Sequence, residues 1–275
     1  MKKNEFNLKS TAAKLTAFLF ATMIAFNFSS CKKDDQTNQD NAEAGNIPGL
    51  GSTAGQLTGT PFTLPDGVKL SGNITGGNQW GYWFSFAGYS APQRPLINQK
   101  GEVETRPLAT LRSAEASPTI YYFGSGSGCV DLLIPLSNTR STSVTVTIPA
   151  ATILVSASGD YQNGILLQTV TITIPANSDY LVCLALYCGN LSRHASSDEE
   201  IYKWGVVSNV KPLLDLCDLL KNKKINISAF SPSVSDDYAT YIDQASLLQV
   251  IVWKITEESG ITGDDISYIN SLPNK

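Results

Sequence analysis

The middle of the chain alternates between aliphatic and polar positions. Val144-Thr145-Val146-Thr147-Ile148-Pro149-Ala150 recurs as Val170-Thr171-Ile172-Thr173-Ile174-Pro175-Ala176. Successive strand residues point to opposite faces, so each copy places its aliphatics on one side and its threonines on the other. Both predict half-buried strands, and each stops at a proline, which has no N–H to give to a ladder. Ser158-Gly159-Asp160 and Gln162-Asn163-Gly164 supply turns between them. Two copies are too few for a repeat array and fit the regularity of a sandwich. Upstream, Trp80-Gly81-Tyr82-Trp83-Phe84-Ser85-Phe86 reads as an aromatic-rich strand, and residues 181–188 as the last of the series.

After residue 200 the spacing becomes helical. Pro212 stands near the start of a segment whose Leu213, Leu216, Cys217 and Leu220 share one face, with Lys221, Lys223 and Lys224 beyond, favourable at a helix C-terminus. A second helix is predicted from Ser235, followed by Asp236 and Asp237, to about Thr256, with a stripe of Ile242, Ala245, Leu248, Val252 and Ile255. The β-branched run Val250-Ile251-Val252 leaves a switch to strand open there. A short third helix follows Thr262, with Ile266 and Ile269 inward, before Pro273. These elements predict an α+β fold: β-sandwich-like antiparallel strands followed by a smaller helical section, in one mixed domain over 61–275 that is β-rich at 61–190 and helical at 200–275.

The start of the chain has another character. Lys2, Lys3, Lys9 and Lys14 form a basic leader, residues 15–28 are almost wholly apolar, and Ser29 and Ser30 precede Cys31. This order resembles bacterial lipoprotein signals, in which the cysteine after the cleavage site carries the lipid. The resemblance implies a signal peptide over 1–30, lipid on Cys31, and the membrane as a partner through that anchor. Lys33-Asp34-Asp35 resembles the export signal of Gram-negative surface lipoproteins, which implies the outer membrane and its outer face; the alternative is a charged, solvated tether. Residues 31–60 read as a flexible surface tether, because Asn41-Ala42-Glu43-Ala44-Gly45 and Gly49-Leu50-Gly51-Ser52-Thr53-Ala54-Gly55 offer little to bury.

Removing the leader takes Lys2, Lys3, Lys9 and Lys14 from 20 basic residues and Glu5 from 24 acidic ones, which leaves an acidic chain. With no clustered basic stripe it has no electrostatic means of holding phosphate backbones, and nucleic acid is excluded as a partner class. Besides Cys31 there are Cys129, Cys183, Cys188 and Cys217, in a compartment where disulfides persist; four cysteines permit three pairings. His194 is the single histidine. It excludes multi-histidine metal sites, and neither a metal nor a cofactor is expected.

Two residues interrupt apolar faces. Cys188 shares a strand face with Val182, Leu184 and Leu186, whereas Cys183 points with Ala185 and Tyr187 to the other. Gln249 lies on the apolar stripe of the second helix, where an amide costs free energy unless its donors and acceptors are met. A thiol held against that amide carbon in a dry pocket can attack it, expel ammonia and leave an internal thioester, a latent electrophile for an amine or hydroxyl. The simpler alternatives are a disulfide at Cys188 and a satisfied core or edge glutamine at Gln249.

Tyr187-Cys188, followed at distance by Leu248-Gln249-Val250-Ile251-Val252-Trp253, resembles the thioester domains of bacterial surface adhesins over about residues 140–270. The resemblance implies that Cys188 is the thiol donor, Gln249 the acyl donor, and Tyr187 and Trp253 parts of the pocket. His194 is a candidate base for acyl transfer. The leading expectation is a surface lipoprotein that binds a protein or glycan on another surface, covalently through Cys188 and Gln249, and is no enzyme beyond one acyl transfer per molecule. Two alternatives accompany it. One is noncovalent glycan binding through Trp80 and Trp83, and the other a structural surface protein with two disulfides.

Overall fold

In the computed structural model, residues 42–77, 96–97, 103–104, 120–230 and 235–275 are described, and all lie within the unit Gln39–Lys275. The strands in chain order are β1 (Gly59–Pro61), β2 (Val68–Leu70), β3 (Ile74–Gly76), β4 (Leu96–Ile97), β5 (Val103–Glu104), β6 (Ile120–Gly124) and β7 (Val130–Asn138). They continue as β8 (Val144–Ile148), β9 (Thr152–Ser156), β10 (Gly164–Ile165), β11 (Val170–Ile174), β12 (Ser178–Cys188) and β13 (Ile201–Ser208). The helices are α1 (Lys211–Leu220), α2 (Ser235–Glu257) and α3 (Gly263–Ser271).

The expected mixed α+β class holds, with mostly antiparallel strands and a few helices, but the sandwich does not. Strands β7, β3, β13, β9, β10 and β12 are paired in that order, and β12 pairs again with β7, which closes a six-stranded barrel. Closure rests on the long antiparallel register from Ser178↔Asn138 to Leu186↔Val130. A barrel leaves these strands fewer open edges than two stacked sheets would. The sequence reading also passed over β13, which supplies the partner of β9 and β3. Its mixture of Lys203, Trp204 and Gly205 hides the alternation.

The two similar segments pair with each other, Val170 opposite Ile148 and Ile174 opposite Val144, as a separate two-stranded sheet. Their aliphatics turn inward and Thr145, Thr147, Thr171 and Thr173 face solvent, as the alternation predicts. Val146, Ile148, Val170, Ile172 and Ile174 join Val130, Leu132, Ile134, Leu136, Val182, Leu184, Leu186 and Cys188 in one core. A second core lies between the opposite strand faces, with Ile153, Ile165 and Tyr187, and all three helices. Each large aliphatic fully buried there contributes roughly 1.5–3 kcal/mol.

Helix α1 buries Leu213, Leu216, Cys217 and Leu220, the face that the spacing predicts. Helix α2 stays helical through Val250-Ile251-Val252, because packing of Leu248, Ile251, Val252 and Ile255 into the second core outweighs the modest β-branched penalty. Helix α3 begins with a capping box: Thr262 Oγ1 accepts the Asp265 N–H, and Asp265 accepts the Thr262 N–H at 2.7 Å. Ile269 is buried, but Ile266 is exposed, contrary to expectation, since a helix this short covers the core with one turn only.

Residues 42–60, assigned by composition to the tether, are packed instead. Ile47 and Leu50 are fully buried beside the helices. The Gly45 N–H donates to the Ile255 carbonyl at 2.8 Å, and the Gly51 N–H to the Gly189 carbonyl at 2.7 Å. The glycines that suggested looseness serve close approach here: a Cβ on Gly51 would stand 2.1 Å from the Thr256 carbonyl oxygen, and its φ of +58° is left-handed.

Candidate functional site

Strand β12 carries Cys188 at its end, with alternate residues in alternate cores. Val182, Leu184, Leu186 and Cys188 face the barrel interior, while Tyr187 faces the helices. On one edge, Gly164 of β10 lies opposite Cys188, and the Gly189 N–H donates to Asn163 O. Hydrogen-bonded and non-bonded pairs alternate along an antiparallel ladder, so the N–H and C=O of Cys188 turn toward the other edge. There β7 has its last partner, Val130 opposite Leu186.

Gln249 occupies that edge. Its Oε1 accepts the Cys188 N–H at 2.8 Å, and its Nε2 donates to the Cys188 carbonyl at 3.1 Å. The pairing also determines which amide atom is oxygen, since the opposite orientation would face donor with donor. A polar residue on an apolar helical stripe is thereby explained, and both residues are almost wholly shielded from solvent. Helix α2 places Gln249 there because Leu248 and Val252 pack into the helical core while Trp253 packs against the barrel core.

The segment Gly124-Ser125-Gly126-Ser127-Gly128 runs along the same part of β12. The Ser125 N–H donates to the Ala185 carbonyl at 3.0 Å. A Cβ on Gly126 would lie 2.1 Å from the Leu186 carbonyl oxygen, so a side chain is excluded by backbone. Tyr241 of α2 donates its hydroxyl to the Gly126 carbonyl at 2.7 Å. Held in this way, Ser127 donates from Oγ to Gln249 Oε1 at 3.4 Å. Gly128, with φ +86°, turns the chain so that Cys129 packs against the barrel core that contains Cys188.

Cys129, half-buried, packs against the barrel core to which the fully buried Cys188 belongs. Hydrogen bonding from the Cys188 side chain outweighs partial burial and brings the Cys129 thiol down to about 6. Cys188 moves the other way, first because its proton serves Cys129 and then because of burial and the negative charges of Cys129 and Asp131.

The arrangement suits acyl chemistry. Attack on the Gln249 amide carbon would place negative charge on Oε1, which already receives the Cys188 N–H and the Ser127 hydroxyl. The leaving nitrogen is the one held by the Cys188 carbonyl. Asn190, two residues after Cys188 and fully buried, braces the strand end: its Nδ2 donates to Gly51 O at 2.9 Å, and its Oδ1 accepts the Asn163 N–H at 3.2 Å.

Other expected site residues fall differently. Trp253 is half-buried on the Cys188 side, whereas Tyr187 lies on the far face of β12, among the helices, where burial raises its phenol. His194 sits in an exposed loop beside Tyr161, ring centroids 5.9 Å apart, and lines an open pocket of about 480 Å³ with Asp160 and Arg193. Its partners are there: the His194 N–H donates to Asp160 O, and its carbonyl accepts the Gln162 N–H. Trp80, Trp83 and Cys31 lie outside the described residues.

Sequence reasoning missed Ser127, and named Cys129 only as one of the possible disulfide partners of Cys188. Glycines at every second position, 124, 126 and 128, mark a segment lying flat against other backbone, which was the available signal. Among the described residues all four cysteines are free, and no three His, Cys, Asp or Glu side chains converge in a way that would hold a metal ion. No model of a known protein family, no curated protein and no solved structure matches this chain.

Proposed function

We propose that this chain is a lipid-anchored bacterial surface protein whose packed domain forms an internal thioester between Cys188 and Gln249 and uses it to acylate an amine or hydroxyl on a partner surface. The observation that carries the reading is the double hydrogen bond between the Gln249 amide and the backbone of Cys188. It holds the acyl group against the residue that bears the thiol, with its oxygen between two donors and water shut out. Cys188 gives up its proton, its sulfur bonds to the amide carbon, and the tetrahedral adduct collapses by expelling ammonia with that proton. An incoming amine reverses the exchange: it takes the acyl group and returns a proton to sulfur.

The test is intact mass of the folded, mature protein. Thioester formation lowers it by about 17 Da, and methylamine then adds at Gln249 as one thiol reappears. Cys188→Ala abolishes both changes. A mass equal to that of the open chain, with Cys188 alkylatable after unfolding, refutes the reading. In that case Gln249 serves only to finish the edge of β12, a role supported by the same two hydrogen bonds.

A further inference from the structure

We infer that the open pocket between segments 159–161 and 192–194 is a noncovalent binding site for a saccharide that carries a carboxylate, with Arg193 holding the acid group and Tyr161 receiving the face of the sugar ring. The site uses neither Cys188 nor Gln249 and stands whether or not the thioester forms. Its volume, about 480 Å³, is that of a small-ligand pocket, and Gly159, Asp160, Tyr161, Ser192, Arg193 and His194 line it. Buried groups hold both segments in place. The His194 N–H donates to the Asp160 carbonyl at 3.1 Å and the Gln162 N–H to the His194 carbonyl at 2.8 Å, so the two run side by side. The buried Gln162 side chain ties them again, giving from Nε2 to the Arg193 carbonyl and receiving the Asn190 N–H at Oε1, each at 3.4 Å. Glu200, also buried, accepts the Ser156 hydroxyl at 2.6 Å and the Ser158 N–H at 2.9 Å, which fixes the chain just before Gly159. Walls set in advance spare a ligand most of the cost of ordering them.

The side chains that line the pocket define the ligand. Among the described residues neither Arg193 nor Asp160 takes part in an ion pair, with each other or with a neighbour. The Arg193 guanidinium therefore offers its planar fork to the pocket, and that fork matches a carboxylate. Asp160, exposed, accepts from hydroxyl groups and repels a doubly charged phosphate, so a single negative charge fits better than two. Tyr161 is half-buried and packs against the barrel core, and its ring meets that of His194 at 57° with centroids 5.9 Å apart. The two ring planes make a fixed corner, against which the apolar C–H face of a pyranose can lie. The Ser192 hydroxyl is exposed beside them. A carboxylate, an apolar ring face and several hydroxyls on one molecule describe a hexuronic acid. Because the pocket is open, such a residue can enter while still linked to the rest of a chain.

The experiment titrates the folded, mature protein with trigalacturonate and with its fully methyl-esterified form, followed by calorimetry and by saturation-transfer NMR. The acid is expected to bind and the ester to bind at least about tenfold more weakly, because the ester keeps the rings and loses the charge. Arg193→Ala weakens binding of the acid by about 10–100-fold, whereas Arg193→Lys, which keeps the charge but not the fork, loses less. The unfolding midpoint of Arg193→Ala stays that of the parent, since the hydrogen bonds that hold the pocket use the backbone of Arg193. Cys188→Ser binds the acid as the parent does, so loss of the thioester leaves this site intact. Absence of binding, equal binding of acid and ester, or full affinity in Arg193→Ala refutes the site. Displacement of the sugar by an equal concentration of inorganic phosphate or of alanine also refutes it, in favour of a simple anion or amino-acid pocket. Binding lost in a folded Cys188→Ser would place the sugar at the thioester instead and equally overturn the inference.

Discussion

The amide of Gln249 lies along the backbone of Cys188 as one more residue of a ladder would, receiving its N–H at 2.8 Å and giving to its carbonyl at 3.1 Å. A side chain sixty-one positions away thus completes the strand where β7 ends. The same contact brings an acyl carbon to the residue with the thiol, so structural and chemical roles cannot be separated by inspection, only by substitution.

Gln249→Ala is expected to destabilise the folded protein, because the buried N–H and C=O of Cys188 both lose their partner, at about 1–3 kcal/mol for each group left unsatisfied. Gln249→Glu recovers part of this through its acceptor. Urea titration with an unchanged slope measures the difference. Equal midpoints for Gln249→Ala and the parent chain would show that water or another group replaces the amide.

Ser127→Ala removes one of the two donors to Oε1 without disturbing the backbone around it. Thioester formation followed by mass after refolding is expected to slow by about 10–100-fold, below the usual loss for an oxyanion donor because this hydrogen bond is long. The unfolding midpoint stays within about 0.5 kcal/mol of the parent. An unchanged rate would remove Ser127 from the chemistry.

Gly126→Ala puts a methyl where the Leu186 carbonyl oxygen stands. The loop must lift from β12, which strains its hydrogen bond from Tyr241, and a cost of about 1–3 kcal/mol follows. Gly263→Ala is the control, since nothing lies within 4 Å of its Cβ position and the residue opens a helix. Equal thermal shifts in the two variants would contradict the close packing of this segment.

Asp265 accepts from Lys254 at 2.7 Å and from the Thr262 N–H and hydroxyl. Burial by itself would raise its carboxyl, but those donors prevail and hold it below the ordinary value. A carboxyl depressed in the folded state contributes stability above its unfolded pKa, near 3.9, and loses it as pH falls through the folded one. Asp265→Asn is therefore expected to cost about 1 kcal/mol at neutral pH and progressively less in acid. A gap that stays constant from pH 7 to about pH 2 would show that the carboxylate charge is not the cause.

For the anchor, Cys31→Ser is expected to release the protein from membranes or leave the precursor uncleaved, because the lipid has no other attachment point in the signal-like segment. Membrane fractionation with a lipid label checks it. A mature, lipid-labelled variant would refute the assignment.

The local sequence determined the faces and ends of elements. Thr145 and Thr147 against Val146 and Ile148, Cys188 with Leu186, and Gln249 on the stripe with Leu248 and Val252 all follow from periodicities of two and 3.6, which depend on neighbours in the chain alone. Tertiary structure decided whatever needed distant partners. The return of β12 to β7 made a barrel of strands that alternation alone would equally lay in a sandwich, because alternation names a buried face and not what buries it. Ile47 and Leu50 became core among glycines that composition reads as loose, since close backbone approach and flexibility call for the same residue. Ser127 and Cys129 entered the site only through the left-handed turn at Gly128 and the loop's contact with β12. Those are backbone relations between segments some sixty residues apart, and no local pattern encodes which residue they will bring to Cys188.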